Sequence, residues 1–213
     1  MSLPCPVCRS VDTRHFQSID ERSYWRCDLC QSTYLDPAQH PDRAREKAEY
    51  DRHENNPQDP AYRRFLNRLA APLIERLEPG SKGLDFGCGP GPALAQMLEE
   101  SGFAMSLYDP IYAPDGKILE RPYDFITCTE VVEHFHRPAE EFERLFSLLK
   151  PGGWLGLMTR LQTDDDRFAG WHYRRDPTHV VFYRETTFLW LAKAYGMTAD
   201  IIPPDAVLMK RKA

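Results

Sequence analysis

Two cysteine pairs, Cys5-Pro6-Val7-Cys8 and Cys27-Asp28-Leu29-Cys30, stand eighteen residues apart near the start of the chain. A Cys-x-x-Cys pair turns the backbone into a tight knuckle. Two knuckles can set four thiolates at the corners of a tetrahedron, which suits Zn2+. The spacing predicts a zinc ribbon over residues 1–35, with Cys5, Cys8, Cys27 and Cys30 as ligands and a structural metal. A second chemistry-bearing stretch is Gly83-Leu84-Asp85-Phe86-Gly87-Cys88-Gly89-Pro90-Gly91-Pro92. Its apolar run ends at Asp85 and enters a loop with glycine at every second position. Gly87, Gly89 and Gly91 let backbone approach a nucleoside closely. The amides that open the following helical stretch, residues 93–101, face the same space. A dinucleotide loop wants G-x-G-x-x-G, and its third glycine would fall on Pro92. No Lys-Ser/Thr follows, so the NTPase phosphate loop is also excluded. A ligand without pyrophosphate fits. Asp109 ends the next apolar run about twenty residues on, where an acid accepts hydrogen bonds from both ribose hydroxyls.

The elements that must position these residues alternate. Strands are predicted over 83–86, 103–108, 117–119, 123–129 and 154–159, with helices over 93–101, 139–149 and 185–195. Residues 198–202 and 206–210 form a closing hairpin around Pro203-Pro204-Asp205. This alternation implies an α/β fold with a mostly parallel sheet covered on both faces. Ahead of it, residues 36–79 read as a helical linker or lid. Residues 42–51 are helical in composition. Residues 62–77 place Phe65, Leu66, Leu69, Leu73, Ile74 and Leu77 on one helical face. The main domain then covers 80–213.

Bulk properties narrow the classes. Twenty-seven basic against 32 acidic side chains give a net charge of −5. That argues against bulk electrostatic binding of nucleic acid. The arginines between the cysteine pairs are balanced by acids as well. No apolar run approaches the roughly 18 residues of a membrane span. The opening residues show no signal peptide, so a cytoplasmic setting is expected, with the six cysteines as metal ligands or free thiols.

Three segments together resemble the class I S-adenosylmethionine-dependent methyltransferases. Leu84-Asp85-Phe86-Gly87-Cys88-Gly89-Pro90-Gly91 is similar to their glycine motif. Tyr123-Asp124-Phe125-Ile126-Thr127-Cys128-Thr129-Glu130-Val131-Val132-Glu133-His134-Phe135 is similar to their fourth-strand motif. Leu148-Leu149-Lys150-Pro151-Gly152-Gly153 is similar to the turn before their fifth strand. The Glu-Val-Val-Glu-His-Phe form resembles the branch that contains quinone-biosynthesis O-methyltransferases. The resemblance covers roughly residues 60–213. It implies a Rossmann-like, seven-stranded sheet of order 3-2-1-4-5-7-6 with strand seven antiparallel. It also implies S-adenosylmethionine as cofactor and a small-molecule methyl acceptor as partner.

On that resemblance, Asp85, Gly87, Cys88, Gly89, Gly91, Asp109, Pro110, Thr129 and Glu130 are the cofactor-binding positions. Cys88 and Cys128 are read as small packing groups. The short gap between Asp109 and Tyr123 leaves little room for strand three, so Pro110, Ile111 or Tyr112 is expected against adenine. His134, His172 and His179 are candidate general bases. Phe168, Trp171, His172, Tyr173, Tyr183 and Arg174-Arg175-Asp176 mark residues 163–183 as the candidate substrate loop. Tyr50, His53 and Asn55 are candidates for a lid. Two alternatives keep part of this reading: an RNA methyltransferase that uses the ribbon as reader, and a non-catalytic zinc-dependent interaction module.

Overall fold

The structure, a computed structural model, describes residues 3–52 and 55–213. Strands β1 (Thr13–Ile19) and β2 (Arg22–Cys27) form an antiparallel hairpin, and β3 (Thr33–Leu35) pairs with β2. The two cysteine knuckles flank this unit and share one geometry. Arg9 N–H returns to the Cys5 carbonyl at 2.9 Å, and Gln31 N–H returns to the Cys27 carbonyl at 3.0 Å. Arg9 and Gln31 each take a left-handed φ, 61° and 63°, to make that return possible.

Helix α1 (Arg43–Tyr50) starts at Asp42, whose carboxylate accepts from Arg45 N–H at 2.9 Å. Helix α2 (Pro60–Ile74) starts at Asp59, which accepts from Ala61 N–H at 2.8 Å, with proline at the first helical position. The main sheet then begins with β4 (Lys82–Phe86), α3 (Ala93–Glu100), β5 (Ala104–Tyr108), β6 (Tyr123–Thr129), α4 (Pro138–Leu148) and β7 (Leu149–Met158). The rest of the chain holds α5 (His172–Arg175), β8 (Val181–Phe182), α6 (Glu185–Ala194), β9 (Met197–Ile202) and β10 (Ala206–Arg211).

The main sheet has the order β5-β4-β6-β7-β10-β9. Pairings among β5, β4, β6 and β7 are parallel, and β10 runs antiparallel to both β7 and β9. This is the implied order without its third strand: among the described residues the sheet has six strands, not seven. Residues 117–119 lie instead in a 3-10 turn, Gly116–Glu120, opened by Asp115 accepting from Lys117 N–H at 3.0 Å. The reason is chain length. A parallel crossover takes about a dozen residues or more, and the segment between Asp109 and Tyr123 cannot supply that and a strand as well.

The N-terminal strands do not stand apart. β3 pairs antiparallel with β8, so the second sheet has the order β1-β2-β3-β8 and takes its last strand from beyond β7. One apolar cluster runs from Cys5, Tyr24 and Tyr34 through Phe168 and Phe182 to Phe142, Phe188 and Leu155. Phe168, fully buried, sits 5.1 Å from the Tyr24 ring, 5.4 Å from Phe16 and 5.2 Å from Phe182. Arg26 is also buried. Its guanidinium donates to Asp165 at 2.7 Å and to Thr33 at 2.8 Å, and lies 4.3 Å over the Phe16 ring. A buried guanidinium persists only when paired in this way.

Phe168→Ala would empty the centre of this junction. The expected cost is about 3–5 kcal/mol of unfolding free energy. Urea denaturation, compared with the exposed-site control Leu189→Ala, measures it.

Candidate active site

The glycine loop leaves β4 and is held against β5. Gly87 N–H donates to the Tyr108 carbonyl at 2.8 Å, with φ at 78°; a Cβ there would lie 2.5 Å from a Val131 methyl. Gly89 N–H donates to Asp109 at 3.1 Å. Asp109 also accepts from Ile111 N–H at 2.8 Å and Tyr112 N–H at 2.9 Å, so three backbone amides fix its carboxylate at the tip of β5. Asp85 is buried and accepts from the Thr127 hydroxyl at 2.8 Å; burial pushes its carboxyl up to about 6. Cys88 is half-buried and its thiol is pushed up to about 12 by burial, which suits packing and not nucleophilic chemistry. Pro110 is exposed, and Thr129 is half-buried at the end of β6.

Helix α1 and the residues after it cover this loop. The Tyr112 hydroxyl donates to Asp51 at 2.7 Å, and Glu46 pairs with His136 at 2.8 Å. The Tyr50 ring stands edge-on to His134 at 5.2 Å. The Asn55 carbonyl lies so close to Gly91 that a Cβ there would meet it at 2.0 Å. Of the three lid candidates, Tyr50 lies against His134 and Asn55 against Gly91, and His53 lies outside the described residues.

The turn after β6 carries a second polar group. Glu130 adopts a left-handed φ of 53°. Glu133 is fully buried; Tyr173 donates its hydroxyl to one carboxylate oxygen at 2.6 Å, and the other oxygen, Oε2, has no hydrogen-bond partner among the described residues. The same Tyr173 oxygen lies 3.0 Å from Thr159 Oγ1 and 3.4 Å from Glu130. His134 and His179 pack ring to ring at 4.7 Å. Nδ1 of His134 is 3.1 Å from the Thr178 carbonyl, and Nδ1 of His179 is 2.6 Å from the Tyr173 carbonyl. A carbonyl only accepts, so both rings carry a proton on Nδ1 and, when neutral, present Nε2 as a base. The donor atoms of Glu133, His134 and His179 lie within 4.8 Å of one another, close enough to share one ion. His172 is exposed at the start of α5 and stands apart from this group.

The four cysteines meet as their spacing predicts. Their sulfurs all lie within 4.8 Å of one another, with Cys5–Cys30 at 3.6 Å and Cys8–Cys27 at 3.4 Å. Sulfurs about 2.3 Å from a tetrahedral zinc stand about 3.8 Å apart, so the cradle fits that ion.

Residues 50–200 match the family model described as "Methyltransferase domain". The chain belongs to that family. A ubiquinone biosynthesis O-methyltransferase from Leptothrix cholodnii is 36% identical over 105 residues, covering 38% of this chain and 44% of that protein. The match therefore spans less than half the length of this curated relative. Among solved structures, a Burkholderia thailandensis 1,6-didemethyltoxoflavin-N1-methyltransferase, with 1,6-didemethyltoxoflavin and S-adenosylhomocysteine bound, is 14% identical. It covers 95% of this chain and 100% of that one, with a TM-score of 0.55. The PH0226 protein of Pyrococcus horikoshii is 17% identical, covers 75% and 94% of the two chains, and has a TM-score of 0.50. These structures show the shared fold. No helix among the described residues is long and apolar enough to cross a membrane.

Residues 163–183 differ from the expectation of a substrate-facing loop. Phe168 and Tyr183 are buried, and Arg174 is spent on Tyr24 and Asp20 of the N-terminal strands. Phe168 and Arg174 build the junction with the N-terminal strands, and Tyr183 packs on Phe142 and Phe188; Tyr173, the Thr178 carbonyl and His179 join the polar group after β6. Glu133 was not singled out by its spacing. Its one sequence signal is its place three residues after Glu130, which one tight turn brings back beside it.

The two glutamates set a pH dependence. Burial, with Glu133 adding to it, pushes the Glu130 carboxyl up to about 9. A raised carboxyl keeps its proton in the folded state after the unfolded chain has lost one. Stability therefore falls as pH rises from about 4.5 to about 9. The melting temperature of ligand-free protein should drop between pH 6 and 8.5, and Glu130→Gln should flatten the slope. Differential scanning calorimetry across that range checks it.

Proposed function

We propose that this chain transfers a methyl group from S-adenosylmethionine to a small-molecule acceptor, and that its four cysteines hold a structural Zn2+. The observation that carries the reading is the Asp109 carboxylate. Three amides, one of them from the glycine loop, fix it at the β5 tip beside the sheet edge where open α/β folds bind ligands. There Asp109 accepts from the ribose hydroxyls, while Gly87, Cys88, Gly89 and Gly91 give backbone room and Pro110 borders the adenine. Asp85, Thr129 and Glu130 line the side where an amino group is held; buried carboxyl groups with raised titration favour a positively charged ligand group.

When bound, the cofactor supplies a methyl group already activated by a sulfonium. The chain's task is then alignment and proton removal. Nε2 of His134, or of His179 behind it, accepts the acceptor's proton while the carbonyl bond at Nδ1 holds the ring in place. Glu133 and Tyr173 stabilise the imidazolium that forms. The 36% match to an O-methyltransferase favours an oxygen nucleophile, which has such a proton to lose.

Titration calorimetry with S-adenosylhomocysteine tests the cofactor assignment. Binding is expected, with Asp109→Ala weakening it at least about tenfold, or about 1.4 kcal/mol. No binding at millimolar ligand overturns it. Metal analysis should find about one zinc per chain, and Cys8→Ser should lose it.

A further inference from the structure

The N-terminal strands reach the active site through the main chain. Leu35 N–H donates to the Val180 carbonyl at 2.8 Å, and Val180 N–H donates to the Glu133 carbonyl at 2.9 Å. Beside them, β3 and β8 pair at Thr33–Phe182 and Tyr34–Val181. Inside the first cysteine knuckle, the Pro6 carbonyl accepts from Ala139 N–H at 2.9 Å, in the first turn of α4. That turn directly follows the segment that carries Glu133 and His134. A third link runs through Arg174, which is buried. Its guanidinium donates to the Tyr24 hydroxyl at 3.3 Å and to Asp20 at 3.1 Å, and the adjacent Tyr173 places its hydroxyl on Glu133.

The cofactor half has another foundation. The hydrogen bonds of Gly87, Cys88, Gly89 and Asp109 run to β5 and the turn after it, or stay within the loop. Among the described residues none of them reaches β1, β2 or β3.

We propose that the ribbon is a metal-controlled clamp on one half of the active site: release of Zn2+ from Cys5, Cys8, Cys27 and Cys30 frees β3 from β8 and lets Glu133, Tyr173 and His179 shift, while the glycine loop and Asp109 keep their shape. Tyr24 and Arg174 are then positioning residues, acting through Tyr173. The clamp rests on the zinc assignment above but not on methyl transfer. The device makes metal supply a control on turnover that leaves the glycine loop and Asp109, the ribose side of the cofactor site, in place.

Hydrogen exchange on the full chain, zinc-loaded and then stripped by a chelator under reducing conditions, reads both halves at once. Peptides over residues 33–35 and 179–182 should lose protection at least about tenfold, and peptides over 84–89 and 106–109 less than about threefold. Affinity for S-adenosylhomocysteine should stay within about threefold. Retained protection at Val180 after zinc release overturns the clamp. So does loss of S-adenosylhomocysteine binding in step with the metal, because the ribbon would then support the whole fold. A chain that takes up no zinc overturns it at the root. If zinc-loaded protein binds no S-adenosylhomocysteine at all, methyl transfer falls while the exchange contrast still decides the clamp. Tyr24→Phe, which keeps all four cysteines, should loosen residues 171–175 without zinc loss; unchanged exchange there removes Tyr24 from the clamp.

Discussion

The main chain of Val180 bonds in two directions, its carbonyl to Leu35 and its N–H to Glu133. Buried backbone groups must be paired somewhere, and here the pairing ties three distant segments into one layer. The side chain of Val180 and both residues of β8 are buried, so solvent offers no substitute partner. Around this unit the aromatic junction of Phe16, Tyr24, Phe168 and Phe182 closes, and Arg26 is buried with its guanidinium on the half-exposed Asp165. The turn that presents Glu133 and His134 is therefore set from the N-terminal side as much as by its own strand.

A different constraint shapes the cofactor side. Asp85, Asp109, Glu130 and Glu133 gather where β4, β5 and β6 end. Asp109 is satisfied by amides and Asp85 by a hydroxyl, whereas Glu133 keeps one oxygen without a partner. Burying carboxylates this close together is unfavourable, and the raised values of Glu130 and Asp85 record that cost. Natural proteins concentrate such unfavourable groupings where a ligand completes them. The left-handed backbone at Glu130 is a further local cost in the same turn.

Much of this was legible in the residues. The two knuckles and the glycine loop depend on local spacing, which sequence records directly. The strand and helix segments followed from alternating periodicity and the closing hairpin from its turn residues, whereas the order of the parallel strands came only from the family resemblance. What sequence could not resolve was which neighbour a side chain would find. Residues 117–119 are apolar enough for a strand, but chain length forbade one. Phe168 and Arg174 have the character of ligand-binding groups, yet their partners, Tyr24 and Asp20, lie far away in sequence and are brought close only by the β3–β8 pairing. Glu133 stands in the fourth-strand motif, but its burial beneath Tyr173 is visible only in the fold.

The β3–β8 pairing also bears on how the chain is made. The cysteine knuckles close over short stretches of sequence and can form as soon as residue 30 has emerged. Their sheet cannot be finished then, because Thr33 must wait for Phe182, near the far end of the chain. Contacts between such distant residues carry a loop-closure cost and form late. During synthesis the outer edge of β3 is thus an unpaired strand, with Tyr34 and Leu35 uncovered. A metal bound early would hold that edge in shape until its partner arrives.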